Sequence, residues 1–89
     1  MMDTFSIRLK PNQDLKKEIE SFVSKNDIEG GFIITCGGSL KQAKLRLADE
    51  KVTKLFKKKF EIVSLVGTLC QDGLHLHISL ADSKGQVVG

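Results

Sequence analysis

The pattern of apolar and polar residues is most regular between Leu74 and Asp82, where the sequence reads LHLHISLAD. Because side chains alternate between the two faces of a β-strand, this stretch predicts a strand with one face of leucine and isoleucine. The opposite face carries His75 and His77. Residues two apart on a strand are separated by about 7 Å along the chain, so the two imidazole rings can converge on one small ion or ligand.

Three further segments also have strand patterns. Residues 4–10, TFSIRLK, alternate strictly and predict a half-buried strand. Residues 31–36, GFIITC, and residues 59–69, KFEIVSLVGTL, are apolar on both faces, which is typical of central strands covered on both sides. The Asp72-Gly73 pair then predicts a tight turn into the histidine strand.

A single helix is predicted after Pro11, which ends the first strand. Asn12 and Asp14 are both suitable N-terminal caps, because their side chains can accept hydrogen bonds from free backbone N–H groups. Apolar residues then recur at intervals of three and four, as on the buried face of a helix, and Asn26 is a suitable stop signal. The apolar stripe consists of Leu15, Ile19, Phe22 and Val23.

The chain between residues 40 and 60 is rich in lysine. Residues 40–48 predict a strand with Leu45 and Leu47 facing inward and Lys44 and Arg46 facing outward. The spacing of apolar residues in 51–60 fits a helix and also fits a short strand, and we favour a hairpin. With one helix and at least five strands, the pattern indicates an α+β fold, a mostly antiparallel sheet with one packed helix.

Length and composition indicate one small domain over residues 1–89, with a thin core. The two cysteines, Cys36 and Cys70, show no CxxC spacing, so a disulfide is not expected. The N-terminal sequence lacks the apolar segment of a signal peptide, and no run approaches the roughly 18 apolar residues of a membrane span. We therefore expect a soluble protein in the reducing cytoplasm, without a membrane partner.

Positive charge is concentrated between residues 41 and 59, where eight basic and two acidic residues give a balance of +6 and leave −3 for the rest of the chain. One interpretation is contact with nucleic-acid phosphates without sequence specificity. The alternative is a solvated loop that prevents aggregation at a strand edge. Base stacking would depend on Phe56 or Phe60, which fit a core better. The basic residues are Lys41, Lys44, Arg46, Lys51, Lys54, Lys57, Lys58 and Lys59.

Several segments occur in an order that resembles a known family. They read GFIITCGGSLKQAKLRLAD, FEIVSLVGTL and HLHISLADSKGQVVG, and the opening SIRLKPNQDLKKEIESFVSKNDIEGGF is similar to the first strand and helix of the same family. The whole chain thus resembles the plants-and-prokaryotes-conserved (PPC) domain, which includes bacterial proteins predicted to bind DNA. The resemblance implies an α+β domain that forms a homotrimer.

The resemblance also implies that the C-terminal end of the domain is short. Family members typically continue past the position of Gly89 with another glycine, a histidine and further strands. A hairpin after Asp82 therefore has only a stub for its return strand, and the histidine strand keeps an open edge. We expect either that another subunit covers this edge or that the domain is less stable than full-length relatives.

Zinc is the candidate cofactor, because some prokaryotic relatives hold a metal with clustered histidines. His75 and His77 match the first two ligands and nothing matches the last. Zinc usually takes at least three protein ligands. The alternative is a pair of exposed or carbonyl-bonded histidines. Sources of a further ligand are Cys36, Cys70, Glu61 or a neighbouring subunit.

These patterns leave three functions open. The first is a binding and assembly module that contacts DNA through the lysines, and the second is a metal or small-molecule site at the trimer interface. The third is a purely structural oligomer. No pattern of nucleophile, general base or phosphate loop indicates catalysis. The small-molecule site would combine the histidines with Gly38, Ser39, Arg46 and Glu61, although an ion pair between strands is the plainer role for Arg46 and Glu61.

Overall fold

The computed structural model describes residues 2–89. Within these residues the chain forms one helix and seven strands, of which β1, β2, β5, β6 and β7 make one antiparallel sheet and β3 and β4 make a second sheet. The predicted α+β class, with a mostly antiparallel sheet and one packed helix, is confirmed. The elements are α1 (Leu15–Lys25), β1 (Gly31–Phe32), β2 (Ser39–Leu40), β3 (Ala43–Leu45), β4 (Lys54–Phe56), β5 (Phe60–Cys70), β6 (Gly73–Ala81) and β7 (Val87–Val88).

Helix α1 begins and ends where the sequence predicts. The Asp14 carboxylate accepts a hydrogen bond from the Lys17 backbone N–H at 3.0 Å, and the Asn26 side-chain amide donates to the Phe22 carbonyl at 2.9 Å. These two caps satisfy backbone groups that the helix leaves without partners at its ends. Ile19 and Val23 are buried against the large sheet. No helix in residues 2–89 is long and apolar enough to cross a membrane.

Strands β5 and β6 form the long hairpin at the centre of the large sheet, with Cys70 opposite Gly73 at its closed end. The predicted tight turn is confirmed, shifted by one residue so that Gln71 and Asp72 occupy it. The Gln71 side-chain amide donates to the carbonyls of Val23, at 3.0 Å, and Ile28, at 2.9 Å. This amide ties the end of α1 to the turn of the hairpin.

A register shift in β5 between Ile62 and Ser64 divides the core in two. Such a bulge changes which alternate residues face inward. Before the bulge Phe60 packs with Ala43 and Leu80, and after it Leu65 packs against the helix. One strand therefore contributes to two apolar clusters.

The predicted central position of 59–69 is confirmed, since β5 pairs with β1, β2 and β6, but among residues 2–89 only one face of the sheet is covered. Segment 31–36 forms only the two-residue β1, and Phe32 and Ile34 are 56% and 66% exposed. On β5, Val63 and Val66 are also exposed. Helix α1 is the only helix that the structure describes, and it covers one face of the large sheet. The apolar residues on the other face have no helix above them.

The predicted strand at residues 4–10 is also wrong. These residues form no strand, and Phe5 and Ile7 are 54% and 45% exposed. The Phe5 ring packs edge-on against Phe22 of α1, with centroids 5.3 Å apart. The segment keeps an alternating pattern, but no neighbouring strand among residues 2–89 provides the hydrogen bonds that a strand needs.

The hairpin predicted between residues 40 and 60 is confirmed in strands β3 and β4. Ala43 lies opposite Phe56 and Leu45 opposite Lys54, while Lys44 lies opposite Leu55 on the other face. The predicted strand at 40–48 is shorter than expected, because residues 41 and 42 separate β2 from β3.

The Asp82 side chain organises the turn between β6 and β7. One carboxylate oxygen accepts hydrogen bonds from the backbone N–H groups of Lys84 and Gln86, both at 2.9 Å. The other oxygen accepts from the Lys58 ammonium at 3.0 Å. Strand β7 pairs with β6 at Leu80 and Ala81, and Gly89 follows close to the Ile78 carbonyl.

Candidate nucleic-acid interface and histidine pair

The eight basic residues predicted to contact phosphates are all exposed. They lie on and around the β3–β4 hairpin, which we call the basic arm (residues 41–59). Lys44 and Lys54 lie on opposite faces of this hairpin, since they pair with Leu55 and Leu45 respectively. Asp49 and Glu50 lie in the loop at its end. The arm thus presents positive charge on both faces.

Four of the basic side chains have local partners. The Lys41 ammonium donates to the Asn12 side chain at 2.8 Å, and the Arg46 guanidinium donates to the Glu50 carbonyl at 3.3 Å. The Lys54 ammonium lies 5.1 Å from the centre of the Phe56 ring, a cation–π distance. Lys58 binds Asp82, in the single ion pair found among residues 2–89. None of these contacts buries the positive charge.

The Lys58 ammonium stabilises the charged form of the Asp82 carboxyl. Its hydrogen bond lowers the pKa of the Asp82 carboxyl, and the two backbone N–H donors of the turn lower that pKa further. The Lys58 ammonium also lies 5.7 Å from the Phe60 ring. This lysine therefore joins the basic arm to the β6–β7 turn, while Lys44, Lys51, Lys57 and Lys59 make no such bond in the described chain.

The two histidines converge as the strand pattern predicts. His75 lies opposite Thr68 and His77 opposite Val66, on the face of the sheet away from α1. Their Nε2 atoms are 3.1 Å apart and their ring centres 4.9 Å apart, with both residues exposed. At this distance one ring donates its N–H and the other accepts. Two nitrogens bound to one tetrahedral zinc ion lie about 3.3 Å apart, given Zn–N distances of about 2.0–2.1 Å.

No third ligand completes this pair in the part of the chain that the structure describes. Among residues 2–89 no group of three or more histidine, cysteine, aspartate or glutamate side chains comes close enough to hold a metal ion. Cys36 and Cys70 are free, and the Cys70 thiol donates to the Gly73 carbonyl at 3.3 Å. Burial raises the pKa of the Cys36 thiol, which disfavours the thiolate that a metal would need.

The other residues predicted to form a small-molecule site lie elsewhere. Ser39 lies opposite Glu61, and the Gly38 carbonyl accepts the Ile62 N–H at 2.8 Å, so these residues are adjacent at one end of β5. Val66, which lies opposite His77, is five positions further along β5 than Glu61, a distance of about 17 Å along the strand. Arg46 lies in the basic arm, and its guanidinium donates to a loop carbonyl instead of pairing with Glu61.

An exposed apolar surface was not predicted from the sequence. Thr68 of β5 pairs with Phe32 of β1 along one edge and with His75 of β6 along the other. Residues that lie directly opposite each other in a sheet point to the same face, so Phe32 and the histidines share one face. Val66 lies opposite His77 on this face. We call this surface the outer face (Phe32, Val66, Thr68, His75 and His77), and the exposed Ile34 follows Phe32 along the chain. The sequence signal for this surface is the apolar residues on both faces of segments 31–36 and 59–69. They predict that both faces of the sheet are covered, but they do not identify what covers the second face.

The fold defines the class of protein as a small α+β domain, in which one helix packs on one side of a long antiparallel hairpin. A sequence profile of the Plants and Prokaryotes Conserved (PCC) domain matches residues 1–89. The chain therefore belongs to the PCC domain family, which is the family that its sequence resembles.

Two relatives are much longer proteins that contain a similar sequence. Both are named bifunctional protein GlmU, from Synechococcus sp. strains JA-3-3Ab and JA-2-3B'a(2-13), and each is 45% identical to this chain over 85 residues. The match covers 96% of this chain but only 14% and 13% of the two relatives.

Two solved structures have the same fold. A hypothetical protein from Salmonella enterica is 36% identical with a TM-score of 0.91, and the match covers 93% of this chain and 60% of that protein. A proposed DNA-binding protein from Bacteroides thetaiotaomicron is 25% identical with a TM-score of 0.67, and the match covers 81% of this chain and 54% of that protein. The chain thus spans less than two thirds of either solved relative.

Proposed function

We propose that this protein is a PCC-domain binding and assembly module that contacts DNA phosphates without reading sequence and without catalysis. The observation that carries the proposal is the basic arm, in which all eight basic side chains are exposed within one stretch of 19 residues. The fold shared with a proposed DNA-binding protein from Bacteroides thetaiotaomicron supports it. Both cysteines are free, which is in keeping with a protein that works in the reducing cytoplasm.

The chemistry of the arm fits phosphate contact better than base readout. Lysine ammonium groups are point charges that neutralise phosphates and release counterions, whereas sequence is read by hydrogen bonds to base edges. Phe56 and Phe60 are not available for stacking, because Phe60 is buried and Phe56 packs against it with ring centres 6.2 Å apart. Binding should therefore depend steeply on salt and weakly on sequence.

A salt series with a matched pair of variants tests this proposal. Lys44, Lys51 and Lys57 are changed together to glutamine in one variant, and Lys16, Lys17 and Lys25 of α1 are changed in the same way in the other. Each variant loses three positive charges, but only the first loses them from the arm. Each phosphate contact contributes about 0.9 to the slope of log affinity against log salt on duplex DNA.

We expect the arm variant to lose affinity for duplexes of unrelated sequence to the same extent, with a slope smaller by about 2 to 3. The helix variant should stay close to the parent. Equal losses in both variants would show that net charge alone is responsible, and absence of DNA retention by the parent at low salt would remove the proposal.

Assembly into a homotrimer is part of the proposal. The outer face presents Phe32 and Val66 to solvent, each more than half exposed, and the nearby Ile34 is also exposed, whereas only six apolar residues are buried among residues 2–89. Exposed apolar patches rimmed by polar residues are typical of sites of protein association. A second copy is the occupant we propose, since the resemblance to the family implies three identical subunits.

The histidine pair supports one alternative function, a metal- or small-molecule-binding trimer. The Nε2 separation of 3.1 Å is close to the spacing of two nitrogens on one zinc ion. In an assembly, histidines or other ligands of neighbouring copies would complete the coordination, and Gly38, Ser39, Arg46 and Glu61 of those copies are the candidates for holding a small molecule.

Elemental analysis separates this alternative from the first proposal. The parent protein is dialysed against zinc and then against metal-free buffer, beside a variant with both His75→Ala and His77→Ala. A metal site predicts zinc retained in a fixed ratio by the parent and lost in the variant. Equal zinc content in the two proteins would eliminate the site, whatever the result with DNA.

A further inference from the structure

We infer that the ion pair between Lys58 and Asp82 positions the basic arm for DNA, so that Lys58 is a positioning residue and not a phosphate contact. The inference rests on the proposed binding of DNA phosphates and assigns different roles to neighbouring lysines of the arm. Lys57, Lys58 and Lys59 are consecutive, exposed and equal in charge. Of these three, only Lys58 binds a carboxylate in the described chain.

Asp82 is the fixed half of the pair. One of its carboxylate oxygens accepts hydrogen bonds from the backbone N–H groups of Lys84 and Gln86, both at 2.9 Å. The backbone of the same turn is closed as well, since the Asp82 N–H donates to the Gln86 carbonyl at 2.9 Å and the Gly85 N–H donates to the Asp82 carbonyl at 3.0 Å. The second carboxylate oxygen is therefore held in one direction, where it accepts from the Lys58 ammonium at 3.0 Å.

Lys58 has a second partner on the side of the core. Its ammonium lies 5.7 Å from the centre of the Phe60 ring, within the range of a cation–π contact. Phe60 is buried in the same apolar cluster as Leu80, which lies two residues before Asp82. The ammonium is thus directed at the protein, toward a carboxylate and an aromatic ring, and both partners belong to the sheet that carries the arm.

The rest of the arm is attached to the protein mainly through one apolar face. Ala43 and Phe56 lie opposite each other on this face and pack against Phe60. The other face carries the exposed Lys44. In the described chain β3 and β4 form a sheet of their own, without a ladder of hydrogen bonds to the large sheet. The orientation of the arm therefore depends on side-chain contacts, of which the bond from Lys58 is the charged one.

An arm in one orientation presents its other lysines to DNA without first being ordered. Ordering a flexible segment on binding costs free energy, and holding the segment in place beforehand removes part of that cost. Simple electrostatics predicts the opposite influence of Asp82, because a carboxylate beside a basic surface repels phosphates. The sign of the effect of Asp82 on DNA affinity therefore distinguishes a positioning role from a role of charge alone.

A double-mutant cycle on DNA binding tests the inference. The parent, Lys58→Met, Asp82→Asn and the double variant are compared on one duplex at low salt, at a temperature where circular dichroism shows that all four are folded. Methionine keeps the length of the lysine side chain but removes its charge and its donors. A second cycle with Lys57→Met in place of Lys58→Met is the matched control, since Lys57 has no ion pair in the described chain.

We expect Lys58→Met and Asp82→Asn each to bind DNA several-fold more weakly than the parent, and the double variant to bind no more weakly than either. In the control cycle the two effects should add. If charge alone matters, Asp82→Asn binds as tightly as the parent or more tightly, and the double variant returns toward the parent. That result would overturn the inference.

The salt dependence of the same variants gives a second criterion. Each phosphate contact contributes about 0.9 to the slope of log affinity against log salt on duplex DNA. Lys57→Met should lower the slope by about this amount, whereas Lys58→Met should weaken binding and leave the slope unchanged. An equal fall in slope in the two variants would show that Lys58 contacts a phosphate, contrary to the inference.

Hydrogen exchange without DNA separates failure of this inference from failure of the proposed function. The hydrogen-bonded amides of β3 and β4 should exchange at least several-fold faster in Asp82→Asn than in the parent, while those between β5 and β6 keep their rates. Equal exchange of the arm in the two proteins would overturn the inference whether or not the parent retains DNA. If the parent retains no DNA, the role in phosphate binding is removed together with the proposed function, and faster exchange then shows only that the pair holds the arm.

Discussion

Asp82 is the residue whose charge has the clearest structural role. Its carboxylate holds the β6–β7 turn and binds Lys58, and both contacts lower its pKa. We predict that Asp82→Asn lowers the melting temperature at neutral pH, because the amide can keep an acceptor oxygen for the turn but loses the ion pair. Thermal unfolding followed by circular dichroism measures the difference.

The difference in stability between the parent protein and Asp82→Asn changes with pH in a definite direction. Because the pKa of Asp82 is lower in the folded protein than the value near 3.9 of an unfolded chain, its contribution is fully present above that value and is lost as the pH falls through the folded pKa. The parent and Asp82→Asn should therefore converge in stability in acid. Asp72→Asn is the control, because Asp72 is an exposed turn residue without an ion pair in the described chain. A difference between the parent and Asp82→Asn that stays constant as the pH falls through this acid range would contradict the prediction.

Gly67 is required by close contact between the strands of the central hairpin. A Cβ at this position would collide with the His75 carbonyl oxygen and lie 2.9 Å from the Leu76 Cα. We predict that Gly67→Ala lowers the free energy of unfolding by about 1–3 kcal/mol, because backbone atoms must move. Gly30→Ala, where nothing lies within 4 Å of the added carbon, should change it little in the same urea titration. Equal effects would show that the collision is relieved without cost.

At the scale of elements, the sequence predicts local patterns well and their partners poorly. Helix α1 was predictable because its caps and apolar stripe lie within 13 residues. The β5–β6 hairpin was predictable because a two-residue turn joins strands with clear patterns. The bulge near Val63 was not, since apolar residues occur on both sides of it and the inward face depends on packing with α1 and β6.

Residues 4–10 show why alternation alone does not make a strand. They have the required pattern, but a strand also needs a neighbour to receive its backbone hydrogen bonds, and none lies beside it in the described chain. The candidate sites follow the same rule. His75 and His77 meet because they are two residues apart, whereas Glu61 and Arg46 depend on long-range packing that the sequence does not specify.

Leu80 joins the end of β6 to the second apolar cluster and is fully buried. We predict that Leu80→Ala lowers the free energy of unfolding by about 2–5 kcal/mol, because its removal leaves a cavity beside Phe60 and Ala43. Val87→Ala on the neighbouring strand β7 is the control, since Val87 is 59% exposed. If Leu80→Ala lowers the free energy of unfolding no more than Val87→Ala does, this cluster is not part of the cooperative core.

The whole molecule is less compact than its length requires. The radius of gyration is 13.6 Å, against about 12 Å for a compact domain of 89 residues. Only six apolar residues are buried among residues 2–89, and the outer face remains open. Such a chain has little apolar burial to offset the entropy of folding, so we expect that association supplies part of its stability.

Sedimentation equilibrium of the parent protein at micromolar concentration tests this expectation most directly. We predict a species of about 29 kDa, three times the 9.8 kDa of one chain, which dissociates on dilution together with a fall in melting temperature. A stable monomer of 9.8 kDa whose melting temperature does not depend on concentration would contradict the claim that association covers the outer face and stabilises the protein.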